Sequence, residues 1–132
     1  MTISFTVPGV PVPQSRPRVS RYGTYYPAKV KSYREYIATV AKAAMRGREP
    51  LRGALGMYCT FFFTPPKSTP KKTLSIMYGA YHTKKPDADN LVKAVQDAVN
   101  GICYADDSQI AVLNARKYYA DTARVEVVIV EK

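Results

Sequence analysis

The chain has 132 residues, 46% of them apolar, and carries twenty Lys and Arg against ten Asp and Glu, for a net charge of +10 and a pI near 9.7. That is enough for one domain with its own core, spanning residues 1–132, and too little for two. The charge calls for a polyanion; with no basic-then-apolar leader, and no run near the ~20 apolar residues of a membrane span, we expect a soluble cytoplasmic protein whose partner is nucleic acid rather than a membrane.

Ile3, Phe5 and Val7 alternate with Thr2, Ser4 and Thr6, the pattern of a half-buried strand that Pro8 halts. The proline-rich stretch that follows carries Gln14, Arg16 and Arg18, with Arg21 just beyond. Arginines on a stiff loop lose little entropy on gripping phosphates, so DNA contact is preferred here over a merely solvated loop. Tyr22-Gly23-Thr24 reads as a tight turn, and Tyr22, Tyr25 and Tyr26 as packing residues before stacking ones. Pro27 suits a first helical turn; Val30, Tyr33, Ile37, Val40, Ala41 and Ala44 then predict a helix over 28–46 that Gly47 and Pro50 end.

Leu55 to Thr64, dense in aromatic residues, predicts a central strand, stopped by Pro65-Pro66. The next stretch is long and basic, with Lys67, Lys71, Lys72, Lys84 and Lys85 around a short helix over 69–77, and reads as a substrate-facing flap. His82, the single histidine, is taken as a loop residue, and Cys59 and Cys103, too few for a disulfide framework and without metal-ligand spacing, as reduced thiols. Near the C-terminus, 108–118 and 124–131 read as strands joined around Ala120-Asp121-Thr122 in a hairpin.

Between the flap and those strands the charge reverses. Residues 1–86 hold fifteen Lys and Arg against Glu35 and Glu49, whereas residues 87–132 hold five against eight acids, five of which fall between Lys84 and Ile110. Asp87 suits an N-cap, Asn100-Gly101 a C-terminus, and Leu91, Val92, Val95, Ala98 and Val99 one buried face, predicting a helix over 88–100. At about 100° per residue Asp89, Lys93 and Asp97 share the opposite face. Carboxylates crowded together repel unless a cation intervenes, and Mg²⁺ takes oxygen ligands from one or two carboxylates plus substrate phosphates. The competing reading is structural: acids at a helix start complement its dipole, and Asp89 with Lys93 is an ordinary i,i+4 pair. The second acidic pair, Asp106-Asp107, favours the metal, because a tight return after Gly101 would bring it back to the helix start. The architecture expected is α+β: a single mixed sheet with two main helices packed on one face, in the order strand, helix, strand, helix, strand, strand.

The run PDADNLVKAVQDAVNGICYADDSQI, with its D-x-D-N-x-x-K, N-G and D-D-S-Q, resembles the RusA-type Holliday junction resolvases, and PVPQSRPR, PPKSTPKK and HTKKPD extend the likeness over most of the chain. One departure is Ala88, where the family has a larger aliphatic residue. The resemblance implies an Mg²⁺-dependent endodeoxyribonuclease, working as a homodimer in a bacterial or phage-infected cell, that resolves four-way junctions by paired nicks leaving 5′-phosphate and 3′-hydroxyl ends, in DNA recombination and repair. It places the metal on Asp87, Asp89 and Asp107, with Asp106 the alternative neighbour, and gives Lys93 a catalytic part. The rivals are a non-catalytic basic DNA-binding protein and a general or flap nuclease.

Overall fold

Residues alternating along strands and recurring every three or four along helices leave apolar surfaces that must be buried together, and the chain does so in two layers. The computed structural model describes residues 1–15 and 18–132, without the side chains of Arg18 and Tyr25. Its strands are β1 (Thr2–Pro8), β2 (Arg18–Ser20), β3 (Gly23–Tyr25), β4 (Leu55–Phe63), β5 (Ile110–Tyr119) and β6 (Arg124–Glu131); its helices are α1 (Ala28–Met45), α2 (Lys71–Met77) and α3 (Ala88–Val99).

The main sheet runs β1-β6-β4-β5, with β6 antiparallel to both β1 and β4, and β4 parallel to β5. Alternate residues face one way: Ile3, Phe5 and Val7 of β1, Met57, Cys59 and Phe61 of β4, and Val125, Val127 and Ile129 of β6 are buried. They form a single core with Tyr33, Ile37 and Ala41 of α1 and Leu91, Val95 and Val99 of α3. Both long helices thus cover one face of a mixed sheet, the α+β layering expected. The helix ends lie within two residues of expectation; α1 stops where Arg46 (φ 53°) and Gly47 (φ 75°) turn left-handed, a conformation glycine adopts without cost.

Two expectations fail. β5 and β6 do not form a hairpin: β4 lies between them, and the connection 120–123 crosses its end, with Ala120 N–H donating to the Phe63 carbonyl at 2.9 Å. The physical reason is that β4 is the most apolar strand, and central placement pairs its backbone groups on both edges. Where only a tight turn was expected, β2 and β3 form a small second sheet, Arg18 opposite Tyr25.

Because β4 and β5 are parallel, the chain between them must cross over, and α3 is the longer of the two helices in that crossover. It runs back along the sheet, so its first turn lies toward the C-terminal ends of β4 and β5 and its last toward their beginnings.

Candidate active site at the start of α3

Lys117 of β5 fixes where α3 begins. Its register partner is Phe61, and its Nζ donates to the carbonyls of Lys84 (2.7 Å) and Pro86 (2.8 Å), holding the loop that delivers Asp87. Asp87 is the N-cap residue, with extended backbone, yet its side chain makes no cap hydrogen bond. An N-cap carboxylate ordinarily accepts from an amide of the first turn; here neither oxygen is hydrogen-bonded among the described residues. Asp89, also exposed, accepts the Asn90 N–H at 2.9 Å. Gln14 N–H donates to the Asn90 carbonyl at 2.9 Å, which pins the proline-rich segment onto this turn. Between them opens a cleft of about 630 Å³, lined by Asp87, Asn90, Gln14, Lys29, Lys85 and Phe63 among others.

Lys93 pairs with Asp97 (3.1 Å) rather than with Asp89. This is a surface i,i+4 pair, Lys93 exposed and Asp97 half-buried, worth a few tenths of a kcal/mol and readily given up for a phosphate.

The second acidic pair is not returned to the helix start. The hydroxyl of fully buried Tyr104 donates to Asp107 Oδ1 at 2.6 Å and approaches the Gln96 carbonyl at 3.4 Å, which ties Asp107 to the third turn of α3. Gln96 is seven residues, about 10 Å along the axis, from Asp89. Asp106 caps the 3₁₀ turn Asp107–Gln109, accepting the Ser108 N–H at 2.9 Å, and hydrogen bonding by Ser108 holds its carboxyl below the usual range. Gln109 reciprocates: its Oε1 accepts from Asp106 N and Ala105 N, and its Nε2 donates to the carbonyls of Leu51 and Gly53. Among the described residues no three His, Cys, Asp or Glu side chains gather closely enough to enclose a metal ion. Asp87 and Asp89 nonetheless offer the donor set that suits Mg²⁺: exposed carboxylate oxygens outside any ion pair among the described residues.

Of the expected phosphate contacts, Arg21, Lys67, Lys71, Lys72, Lys84 and Lys85 are exposed, and α2, which carries two of them, buries nothing. Gln14 and Lys85 line the cleft; Arg16 and the side chain of Arg18 lie outside the described residues. His82 lies in a loop, as expected, but is packed there rather than free. It is buried, stacked 4.2 Å from Phe63 with Tyr119 edge-on at 5.0 Å, and burial, then Lys117 and Lys84, push its pKa down.

A family model described as Endodeoxyribonuclease RusA matches residues 8–130. The chain belongs to the RusA endodeoxyribonuclease family. It is 42% identical to the uncharacterized protein YqaN of Bacillus subtilis (strain 168) over 98% of this chain and 96% of that one. A shorter match, 42% identical over 39% of this chain and 40% of the relative, is to a crossover junction endodeoxyribonuclease, rusA, of Lactococcus phage r1t. In this RusA-family chain, reading the sequence missed Lys117, Tyr104 and Gln109. Lys117 carried one signal, a cation at a core-facing position of a strand. Among the described residues no helix is long and apolar enough to cross a membrane.

Proposed function

We propose that this protein is an Mg²⁺-dependent endodeoxyribonuclease that resolves four-way DNA junctions by paired nicks, in recombination and repair. The observation that carries the reading is the pair Asp87 and Asp89, exposed and outside any ion pair among the described residues, with Asp87 lining a cleft bordered by Lys29 and Lys85 in a strongly basic member of a nuclease family. The phage relative's name supplies the junction as substrate.

Asp87 and Asp89 would hold Mg²⁺ together with oxygens of the scissile phosphate. When bound, the ion lowers the pKa of a water and offsets charge on the phosphoryl oxygens and the leaving 3′ oxygen. Lys93, freed from its weak pair with Asp97, would meet the negative charge growing on the phosphate. The family resemblance adds Asp107 to this acidic set; Tyr104 holds it at the third turn of α3 in the free chain, so it would have to approach Asp87 and Asp89 in the DNA complex, while Asp106 serves the turn. Gln14, Arg16, Arg18, Arg21 and the lysines at 67, 71, 72, 84 and 85 would grip the arms of the junction through phosphates. Replacing both Arg16 and Arg18 by Ala should lower the slope of log K against log salt by roughly 0.9 per lost contact.

A junction has approximate two-fold symmetry and two strands to cut, so one site per chain implies a homodimer. Such an enzyme works in the cytoplasm of a bacterial or phage-infected cell, where Cys59 and Cys103 stay reduced. The test is a labelled four-way junction incubated with the protein in Mg²⁺ and in EDTA, beside linear duplex. Nicking that needs Mg²⁺, falls at symmetric positions and prefers the junction supports the reading. Binding without nicking would make this a basic DNA-binding protein, and equal cutting of duplex a general nuclease.

A further inference from the structure

The sheet has a second face, opposite the helices, and at the C-terminal ends of β4 and β5 that face carries a row of π-systems. Tyr81 stacks on Tyr118 (5.1 Å between centroids, 20° between planes), Tyr118 on Phe62 (6.2 Å, 29°), and the Arg124 guanidinium lies 3.9 Å from the Phe62 centroid. The neighbouring residues Phe63, Tyr119 and His82 form the corresponding group on the helix side, so strict alternation along the strands has sent every second ring outward. Cross-strand aromatic pairs stabilise a sheet by themselves, but that role does not require an end in water. Here the terminal ring, Tyr81, is 71% exposed.

We propose that this outer row is a stacking platform for unpaired bases of single-stranded DNA. Three observations select that occupant. Tyr81 offers a bare π-face at the end of an ordered stack, and any base can extend such a stack without sequence readout. Cations accompany the rings, Arg124 on Phe62 and Arg116 exposed beside Tyr118, and the Glu126 carboxylate near them is already paired by Arg124 at 3.0 Å. A four-stranded sheet covered by helices on one face, with aromatic and basic side chains on the other, is also a geometry that displays bases splayed from a single strand.

The experiment measures binding in EDTA, so its failure leaves the nuclease reading untouched. The chain has eleven Tyr and no Trp, so intrinsic emission reports tyrosine directly. Wild-type protein should bind a dT20 oligonucleotide at least about tenfold more tightly than an abasic strand with the same phosphates, with quenched tyrosine emission. Tyr81→Ala should bind dT20 about tenfold more weakly. Tyr81→Phe, which keeps the ring, should bind as wild type, and both variants should bind blunt duplex unchanged. Equal wild-type affinity for the dT20 and abasic strands overturns the proposal without any variant. So does a Tyr81→Ala protein that keeps its dT20 affinity or weakens on duplex equally, or one that sediments as a smaller species than wild type, which would assign the face to a second copy of the chain.

Discussion

At the start of α3, Asp87 and Asp89 stand exposed, and the one hydrogen bond their carboxylates make among the described residues is from the Asn90 amide. At its far end Asp106 and Asp107 are each engaged, one by Ser108 and the turn that Gln109 closes, the other by a buried tyrosine. All four are aspartates within one crossover, and their surroundings divide the work. Carboxylates whose hydrogen bonds are already made hold a connection in shape; carboxylates left open at a basic cleft repel each other and any phosphate until a cation joins them.

The largest effect should come from the open end. Asp89→Asn keeps the shape and removes the charge, so cleavage should fall by on the order of 10³, a loss typical of deleting one electrostatic element of a site, while the melting temperature barely moves because the residue is exposed. Junction nicking by Asp89→Asn at the wild-type rate would remove the first turn of α3 from the chemistry. Asp107→Asn, assayed in parallel, sharpens the division: lost cleavage with retained stability would place Asp107 with the open pair in the substrate complex. Lys93→Ala should also slow cleavage.

Next in size is the closed end. Gln109→Ala would strip hydrogen bonds from the carbonyls of Leu51 and Gly53 and from the amides of Ala105 and Asp106, and should cost roughly 2–3 kcal/mol in urea unfolding. Unchanged stability would mean that water replaces the side chain easily and that this end is not held by its bonds.

Much of this was legible in the sequence, for reasons that differ by element. Period-2 alternation located β1 and β6, and the apolar face of Leu91, Val95 and Val99 located α3, because burial on one side imposes those periods. The failed hairpin depended on information no local window contains: Ala120-Asp121-Thr122 permits a hairpin, and only the demand of distant β4 for two neighbours overrides it. The same limit applies at the site. The motif marked Asp87, Asp89, Asp107 and Lys93, but parallel pairing of β4 with β5 sets which end of α3 the Asp106-Asp107 pair occupies. Tyr104, one of eleven tyrosines, gave no sign that its hydroxyl would meet Asp107.

A smaller effect concerns the support beneath the open end. His82, packed on Phe63 and near Lys117, has its pKa lowered by burial and by the lysines, so the unfolded chain binds its proton more readily than the folded one. Its contribution to stability is complete above the unfolded value of about 6.5 and is lost as pH falls through the lower folded value. His82→Phe should flatten that part of the stability profile, measured by urea midpoint against pH. A variant that parallels wild type across the window would show that His82 titrates as if exposed.

The smallest effect distinguishes repulsion from support at Asp87 itself. On the proposed reading, without metal a basic surface draws DNA in while Asp87 and Asp89 present negative charge where the scissile phosphate would sit. Asp87→Asn removes one unit of that charge, and at screened surface strength the relief is roughly 1 kcal/mol, about fivefold in affinity. Junction binding by Asp87→Asn in EDTA should therefore be tighter than wild type. In Ca²⁺ the advantage should shrink or reverse, since the wild-type carboxylates then share a cation with the phosphate instead of opposing it. The reversal is the informative part: a general change in surface charge would tighten binding in both conditions, and only a residue that meets the cation would change sign between them. Weaker binding by Asp87→Asn in EDTA would mean that the carboxylate supports the loop held by Lys117 or contacts DNA directly, and the contrast between the two ends of α3 would then lose one of its two open members.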